Sequence, residues 1–226
     1  SPALARRLCD RRAGVGADGL LAVSGRRVVY LNADGSRAFC GNGARCAAWW
    51  LRSRGRGGTR FALSGVPVEA VVGAASVRIR MPDVRPLRRL RVAAEGRDWD
   101  AAFLDTGVPH AVVRVGALDR FPVVRVGRAL RRHRAFGRAG ANADFVSGSG
   151  RTLRLRTYER GVEDETLACG TGAVAAALAF GRASPVTVRA RGGRLTVSFR
   201  AGKDGGFTDV WLEGPVRQTF TGEVVL

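Results

Sequence analysis

Apolar and polar residues alternate along several stretches of the chain, which is the period-two pattern of half-buried strands. In Ser76–Met81 the pattern puts Val77, Ile79 and Met81 on one face and two arginines on the other. Arg151–Glu159 repeats it, with two leucines inward. Gly-Gly between two alternating runs predicts a hairpin. The strands predicted in addition are Arg27–Leu31, Asp105–Val113 (after an opening turn), Val186–Ala190, Leu195–Phe199, Phe207–Leu212 and Thr221–Leu226.

Two Ala-rich segments predict helices. The first is expected from about Ala44 to Arg54, with Gly55 ending it. The second, Ala173–Phe180, is apolar on every side, so we expect it to be enclosed, with its end near Gly181. Pro82–Gly96 is rich in arginine and proline with weak periodicity and is interpreted as a linker.

These elements predict an α+β fold of two similar halves. Each half is a curved, mostly antiparallel sheet around one buried helix, and both helix N-termini are expected to face a cleft that holds the active site. We expect the halves to span residues 1–98 and 99–218, with a last strand at 219–226 returning to the first half.

Composition limits the cofactors and partners that the protein is expected to use. The 226 residues carry a net charge of +19, but arginine supplies nearly all of it and is dispersed, so no nucleic-acid partner is expected. The single lysine, Lys203, lies in a turn-like segment, which disfavours pyridoxal phosphate. Two histidines without clustered carboxylates disfavour a metal site, and no nucleotide-binding loop follows a strand. We therefore expect no cofactor and no metal, only side-chain chemistry.

The chain shows no signal peptide and no run long enough to span a membrane. Its four cysteines form neither a CxxC nor a zinc pattern, as expected in a reducing compartment. A cytoplasmic location and no membrane partner are therefore predicted.

Two of the cysteines stand in repeated frames. Cys40-Gly-Asn-Gly and Cys169-Gly-Thr-Gly each open one of the Ala-rich helices. A thiol at a helix start lies among unpaired backbone N–H groups, which lower its pKa. Two facing thiols could form a structural disulfide, a redox pair, or a pair that removes and adds a proton on opposite sides of one carbon.

The chain resembles the diaminopimelate epimerases in five segments and their order. They are Gly14–Leu21, Asn32–Arg45, Gly107–Val112, Asn142–Val146 and Glu159–Gly172. The resemblance implies cofactor-independent conversion of LL-diaminopimelate to the meso form, for lysine and peptidoglycan precursor synthesis. It implies that Cys40 and Cys169 are the acid/base thiols and that His110 and Glu159 tune them. The substrate-binding residues that it implies are Asn32, Gly41, Asn42, Asn142, Glu159, Arg160, Gly170 and Thr171. The expected partner is a small amino-acid substrate, and the expected assembly is a homodimer.

The sequence departs from the family pattern in two ways. The family normally begins with a strand and an Asn-bearing loop, whereas this chain starts later, and Asn142–Phe145 is expected to be the second-half counterpart of that loop. Gly19 and Val108 stand where some members carry substrate-contacting Gln and Asn, which predicts a weaker grip on one end of the substrate.

Three alternatives stay open from the sequence. A racemase of the same fold could act on another amino acid, although Asn42 stands where proline racemases carry histidine. A basic nucleic-acid-binding protein would show steeply salt-dependent DNA binding. A redox protein would use a Cys40–Cys169 disulfide in its working cycle.

Overall fold

A computed structural model of the chain describes residues 1–57 and 59–225. Contacts divide the chain into two compact units. Unit 1 comprises Ser1–Ile79 and Gly214–Leu226, and unit 2 comprises Arg80–Glu213. The first boundary falls at 79/80 rather than at 98/99, because the strand that follows residue 87 pairs inside unit 2.

Unit 1 is a mixed sheet with two helices. Its strands run in chain order across the sheet, and all neighbours are antiparallel except β2 and β3, which are parallel. The elements are α1 (Pro2–Cys9), β1 (Gly19–Ser24), β2 (Arg27–Asn32), α2 (Gly41–Ser53), β3 (Arg60–Leu63), β4 (Val66–Val72) and β5 (Ser76–Arg80).

Helix α2 packs on this sheet through small residues. Ala44, Ala47, Ala48 and Leu51 are fully buried, and they recur at helical spacing. Short side chains let the helix approach β1, β3 and β4 closely. The ring of Tyr30 on β2 fills the remaining space, because a Cβ atom at Gly43 would lie 2.9 Å from its Cδ2.

Unit 2 is a larger mixed sheet in the order β14-β13-β12-β10-β9-β8-β7-β6, with β11 paired to β10. The pairs β8/β9 and β10/β12 are parallel and the others antiparallel. The elements are β6 (Arg88–Ala94), β7 (Arg97–Asp105), β8 (Pro109–Arg114), α3 (Val123–Arg131), β9 (Asn142–Ser149), β10 (Thr152–Glu159), β11 (Asp164–Thr166), α4 (Gly170–Phe180), β12 (Val186–Ala190), β13 (Gly193–Ala201) and β14 (Phe207–Pro215).

The two faces of this sheet carry different kinds of side chain. One face packs against α3 in a hydrophobic cluster that includes Ala111, Ala143, Phe145 and Tyr158. Because side chains alternate along a strand, His110, Asn142, Asp144 and Thr157 lie on the opposite face. Helix α4 packs there, and its Ala173–Ala179 segment is buried, as the apolar pattern predicted.

The α+β class and most predicted elements are confirmed, with four corrections. Pro82–Gly96 is not a linker, since it contains β6. Helix α2 begins at Gly41 rather than Ala44, because Cys40 caps it directly. Asn142–Phe145 opens strand β9 rather than forming a loop. Residues 221–225 form no strand, and Leu226 lies outside the described residues. The Arg7 guanidinium of α1 donates to the carbonyl of Val225 in this tail at 3.3 Å.

Candidate active site

Both cysteines of the repeated frames cap a helix. Cys40 and Cys169 have extended backbones at the N-cap positions of α2 and α4 (φ −129° and −104°). The Sγ atom of each accepts a hydrogen bond at 3.4 Å from the backbone N–H three residues on, at Gly43 and Gly172. Sulfur therefore takes the place of the oxygen that normally caps a helix, and it is held among the unpaired N–H groups of the first turn.

In unit 1 the half-buried Cys40 is followed by Gly41 and Asn42 in the first turn of α2. The Asn42 Oδ1 accepts a hydrogen bond from the Arg45 guanidinium at 2.9 Å. Asn32 ends β2, and its amide donates to the Ser36 hydroxyl at 2.9 Å. The turn after β2 thus fixes the orientation of this predicted substrate-binding amide.

Arg45 is a unit 1 feature that the sequence analysis missed. Its side chain is 6% exposed, yet its Nε and Nη1 atoms have no hydrogen-bond partner among the described residues. Burial lowers its pKa, and the nearby Cys46 and Cys40 sulfurs oppose this by favouring the charged form. A buried cation thus lies beside the first thiol box.

In unit 2 Cys169 is buried, and its surroundings disfavour the thiolate. Burial raises its pKa well above the ordinary thiol value, and the negative charges of Glu159 and Asp144 raise it further. Hydrogen bonds from Thr171 and from the Gly172 N–H act in the opposite direction and are outweighed. The expectation that a helix start lowers the pKa is therefore wrong for Cys169, because desolvation dominates.

The first turn of α4 carries the other predicted residues of this box. Gly170 is buried, and the Thr171 hydroxyl lies 3.4 Å from the Cys169 Sγ. The carbonyl of Thr171 accepts a hydrogen bond from the buried Thr106 hydroxyl at 3.2 Å. Thr106 precedes β8 and ties this turn to the β7–β8 connection.

Glu159 and Arg160 lie at the end of β10. A Glu159 carboxylate oxygen accepts a hydrogen bond from the Thr166 hydroxyl at 2.9 Å. The Arg160 backbone N–H donates to the Asn142 Oδ1 at 2.7 Å. Among the described residues the half-buried Arg160 guanidinium has no carboxylate partner, so it is available to an anionic ligand.

His110 is fully buried and hydrogen-bonded on both sides of its ring. Its Nδ1 lies 2.6 Å from the Asp144 Oδ2, and its Nε2 lies 3.3 Å from the Asn142 Nδ2. The sheet register explains both contacts, because His110 on β8 pairs with Asn142 on β9, two residues before Asp144. Asp144 in turn pairs with Thr157 on β10, whose hydroxyl donates to its Oδ1 at 2.7 Å.

Within unit 2 the structure thus brings together His110, Asn142, Glu159, Arg160 and the α4 box. It also adds residues that the sequence analysis did not select. Asp144 and Thr157 are wholly or almost wholly buried polar residues on the face of the sheet that packs against α4. An Asp inside the apolar run Ala-Asp-Phe-Val was the signal that could have found the first of them.

The described residues contain no cluster of three or more His, Cys, Asp or Glu that could hold a metal ion. Within the same residues, no helix is both long enough and apolar enough to cross a membrane.

Solved structures with the same fold include enzymes of several kinds. A probable proline racemase from Agrobacterium radiobacter K84 matches with a TM-score of 0.69 and 18% identity, over 98% of this chain and 80% of that one. A phenazine biosynthesis protein of the PhzF family from Bacillus anthracis matches with a TM-score of 0.66 and 14% identity, over 95% of this chain and 84% of that one. At these identities the likeness establishes the fold.

Sequence comparison adds the class and the family. The chain is an isomerase of the pyridoxal phosphate-independent epimerase class. The profile of the family described as diaminopimelate epimerase matches residues 102–209. A diaminopimelate epimerase of Chlorobaculum tepidum is 39% identical over 98% of this chain and 90% of its own length, and one of Aquifex aeolicus is 36% identical over 97% and 84%. The chain belongs to the diaminopimelate epimerase family, as its motifs predicted.

Proposed function

We propose that this protein interconverts LL- and meso-diaminopimelate with Cys40 and Cys169 as its two acid/base thiols. The observation that carries the proposal is the repeated thiol cap, one in each unit, in a member of this family. The proposal places the two thiols on opposite faces of one substrate α-carbon.

The reaction balances without any further reagent. One sulfur, as thiolate, takes the proton of the α-carbon as the C–H bond breaks. The other, as thiol, gives its proton to the opposite face of the same carbon, which inverts it. Because burial and two carboxylates favour the protonated form of Cys169, we assign it as the resting proton donor and Cys40 as the base.

Substrate binding follows from the groups around each thiol. Backbone N–H groups of Gly41 and Asn42, and of Gly170 and Thr171, would hold the α-carboxylate and stabilise the carbanion-like state. The Arg160 guanidinium suits the distal carboxylate because its planar fork binds both oxygens. Asn32 and Glu159 would hold amino groups. Asn142 would act by fixing the backbone at Arg160, since its own polar atoms bond within unit 2.

We further propose that this step serves lysine and peptidoglycan precursor synthesis in the cytoplasm, by a homodimer. The four free cysteines are compatible with a reducing compartment.

The test is exchange of the α-proton in D₂O under reducing conditions, with LL-diaminopimelate and a panel of other amino acids. We expect deuterium to enter diaminopimelate with inversion. Cys40→Ala and Cys169→Ala should each lower the inversion rate by about 10²–10⁴-fold, the range for losing a positioned acid or base.

Cys46→Ala is the matched control, because Cys46 lies six residues from Cys40 on the same helix and has no proposed role. Exchange confined to a different amino acid would contradict the proposed substrate. Full inversion by either single cysteine variant would contradict the two-thiol mechanism.

A further inference from the structure

Asp144 is a fully buried carboxylate directly beneath the first turn of α4. A Cβ atom at Gly172, the third residue of that helix, would lie 2.6 Å from the Asp144 Oδ1 and 3.3 Å from the Cys169 Cβ. Because Gly172 has no side chain, the Asp144 carboxylate has room to lie beside the Cys169 cap. Asp144 lies within the segment Asn142–Val146 but is not among the site residues that the resemblance implies.

The hydrogen bonds around Asp144 determine the protonation of His110. The Arg160 N–H donates to the Asn142 Oδ1 at 2.7 Å, which identifies the other amide atom as the Nδ2 donor. That Nδ2 lies within hydrogen-bonding range of the Pro109 carbonyl, at 3.4 Å, and of the His110 Nε2, at 3.3 Å. A ring nitrogen that faces a donor must accept, so Nε2 carries no proton and Nδ1 donates to Asp144.

These bonds form one chain across three strands that converges on the Asp144 carboxylate. Thr157 on β10 and His110 on β8 both donate to Asp144 on β9, the Asn142 amide on β9 donates to His110, and the Arg160 backbone N–H donates to Asn142. Apart from the bond from the Arg160 N–H, each of these hydrogen bonds joins side chains at neighbouring positions on the face of the sheet that packs against α4.

We propose that Asp144 is a positioning residue for the epimerisation. It fixes His110 as the Nδ1–H tautomer and, through His110 and Asn142, fixes the backbone at Arg160. Beside Cys169, its negative charge adds to the effects of burial and of Glu159, which raise the pKa of that thiol. The inference rests on the proposed function for its catalytic consequence, but the tautomer and the state of Cys169 are measurable without turnover.

One substitution removes the charge of Asp144 and keeps its shape. Asp144→Asn keeps an acceptor for the His110 Nδ1–H and lets the amide donate to the Thr157 hydroxyl, so only the charge is lost. Asp98→Asn makes the same change at an exposed carboxylate of unit 2 that pairs with Arg91, which makes it the matched control.

The first measurement is ¹⁵N NMR of the unmodified protein at neutral pH. The chain contains two histidines, so His133→Asn assigns the His110 signals. We expect His110 with Nδ1 protonated and Nε2 unprotonated. A proton on Nε2, whether in the other tautomer or in the imidazolium, would overturn the proposal.

The second measurement is the pH dependence of alkylation at Cys169, followed by mass spectrometry. The charged groups that act on this thiol are Glu159 at the end of β10 and Asp144 on β9, with His110 on β8 behind Asp144. Asp144→Asn should move the alkylation midpoint to lower pH, and Asp98→Asn should leave it in place. Buried Cys9 in unit 1 reports any general loosening of the fold. An unchanged midpoint in Asp144→Asn would contradict the role of its charge.

The kinetic expectation for Asp144→Asn is a fall in kcat/KM of roughly 10-fold, because a neutral amide accepts the His110 Nδ1–H less strongly than a carboxylate does. Asp98→Asn should stay near the unmodified value. If the unmodified protein shows no epimerase activity, the proposed function fails. The His110 tautomer and the Cys169 alkylation midpoint would still test the positioning role of Asp144. Unmodified kinetics in Asp144→Asn, with active starting protein, would refute the catalytic part.

Discussion

The two thiols share one backbone geometry but differ in their surroundings. Cys40 and Cys169 both cap a helix through a 3.4 Å contact to a glycine N–H. Cys40 is half-buried, with the Arg45 cation close by, whereas Cys169 is buried beside two carboxylates. An enzyme that needs one thiolate and one thiol at the same time can obtain both from this difference in environment.

Glu159 is the stronger of the two charges that act on Cys169, after burial itself. Removing a negative charge makes the thiolate easier to form, so Glu159→Gln should lower the pKa of Cys169. The alkylation midpoint of Cys169 should therefore move to lower pH, and further than in Asp144→Asn. Asp98→Asn, at an exposed carboxylate paired with Arg91, is the control and should leave the midpoint in place. A midpoint that rises or stays fixed in Glu159→Gln would contradict a role for the Glu159 charge in raising this pKa.

At this scale the sequence reveals some site residues and not others. Cys40 and Cys169 stand in a repeated local frame, so they can be found by reading along the chain. Asp144 becomes a partner of His110 only when β8 and β9 pair in a particular register, and Arg45 becomes buried only when α2 packs on its sheet. These are long-range consequences of folding, which local patterns do not encode.

At the scale of elements, the second glycine of each box makes room for a different neighbour. Gly43 lies against the Tyr30 ring and Gly172 against the Asp144 carboxylate. Both helices therefore begin close to the sheet beneath them, and their N-terminal N–H groups are held in fixed positions. The Gly-x-Gly spacing thus serves packing as well as the approach of an anion.

Gly172→Ala should destabilise unit 2, although alanine favours a helix by about 1 kcal/mol over glycine. Its Cβ would lie 2.6 Å from a buried carboxylate oxygen, and such overpacking costs about 1–3 kcal/mol. Urea denaturation followed by circular dichroism should show an earlier midpoint. Gly116→Ala is the control, since an added Cβ there meets no atom within 4 Å. Equal midpoints for the two variants would mean that Asp144 shifts freely, against the fixed position argued above.

Elements with a clear local period were predictable, and elements defined by packing were not. The strands β5 and β10 and the β12–β13 hairpin follow directly from alternation and the Gly-Gly turn. Helix α3 was missed, because its valines and Gly127 have low helix propensity. A glycine is needed at position 127 because of a residue far away in the sequence, since a Cβ there would lie 2.4 Å from the Tyr158 Cβ. Strand β6 was mistaken for a linker because it lies at the edge of the sheet beside β7 and carries exposed arginines, as edge strands often do.

At the scale of the whole molecule, the charge is unbalanced. The 38 Lys and Arg residues face 19 Asp and Glu residues, so at least half of the cations cannot be matched one to one. Some pairs are well formed, such as the two-pronged contact of Arg156 with Glu165, each 10% exposed. Others, such as Arg11 with Asp18, are exposed and contribute little. Mutual repulsion of the excess positive charge should therefore oppose the folded state.

This repulsion predicts that salt stabilises the protein. Raising NaCl from about 0.01 M to 0.1 M shortens the screening length from about 30 Å to about 10 Å, which weakens repulsion among dispersed arginines more than it weakens close ion pairs. The melting temperature at pH 7, followed by circular dichroism, should rise by a few degrees. Choline chloride at the same ionic strength should give the same rise, because screening does not depend on the identity of the cation. A melting temperature that falls with either salt would mean that ion pairs such as Arg156–Glu165 outweigh the repulsion. The charged residues would then stabilise the folded state through their ion pairs more than their excess positive charge destabilises it.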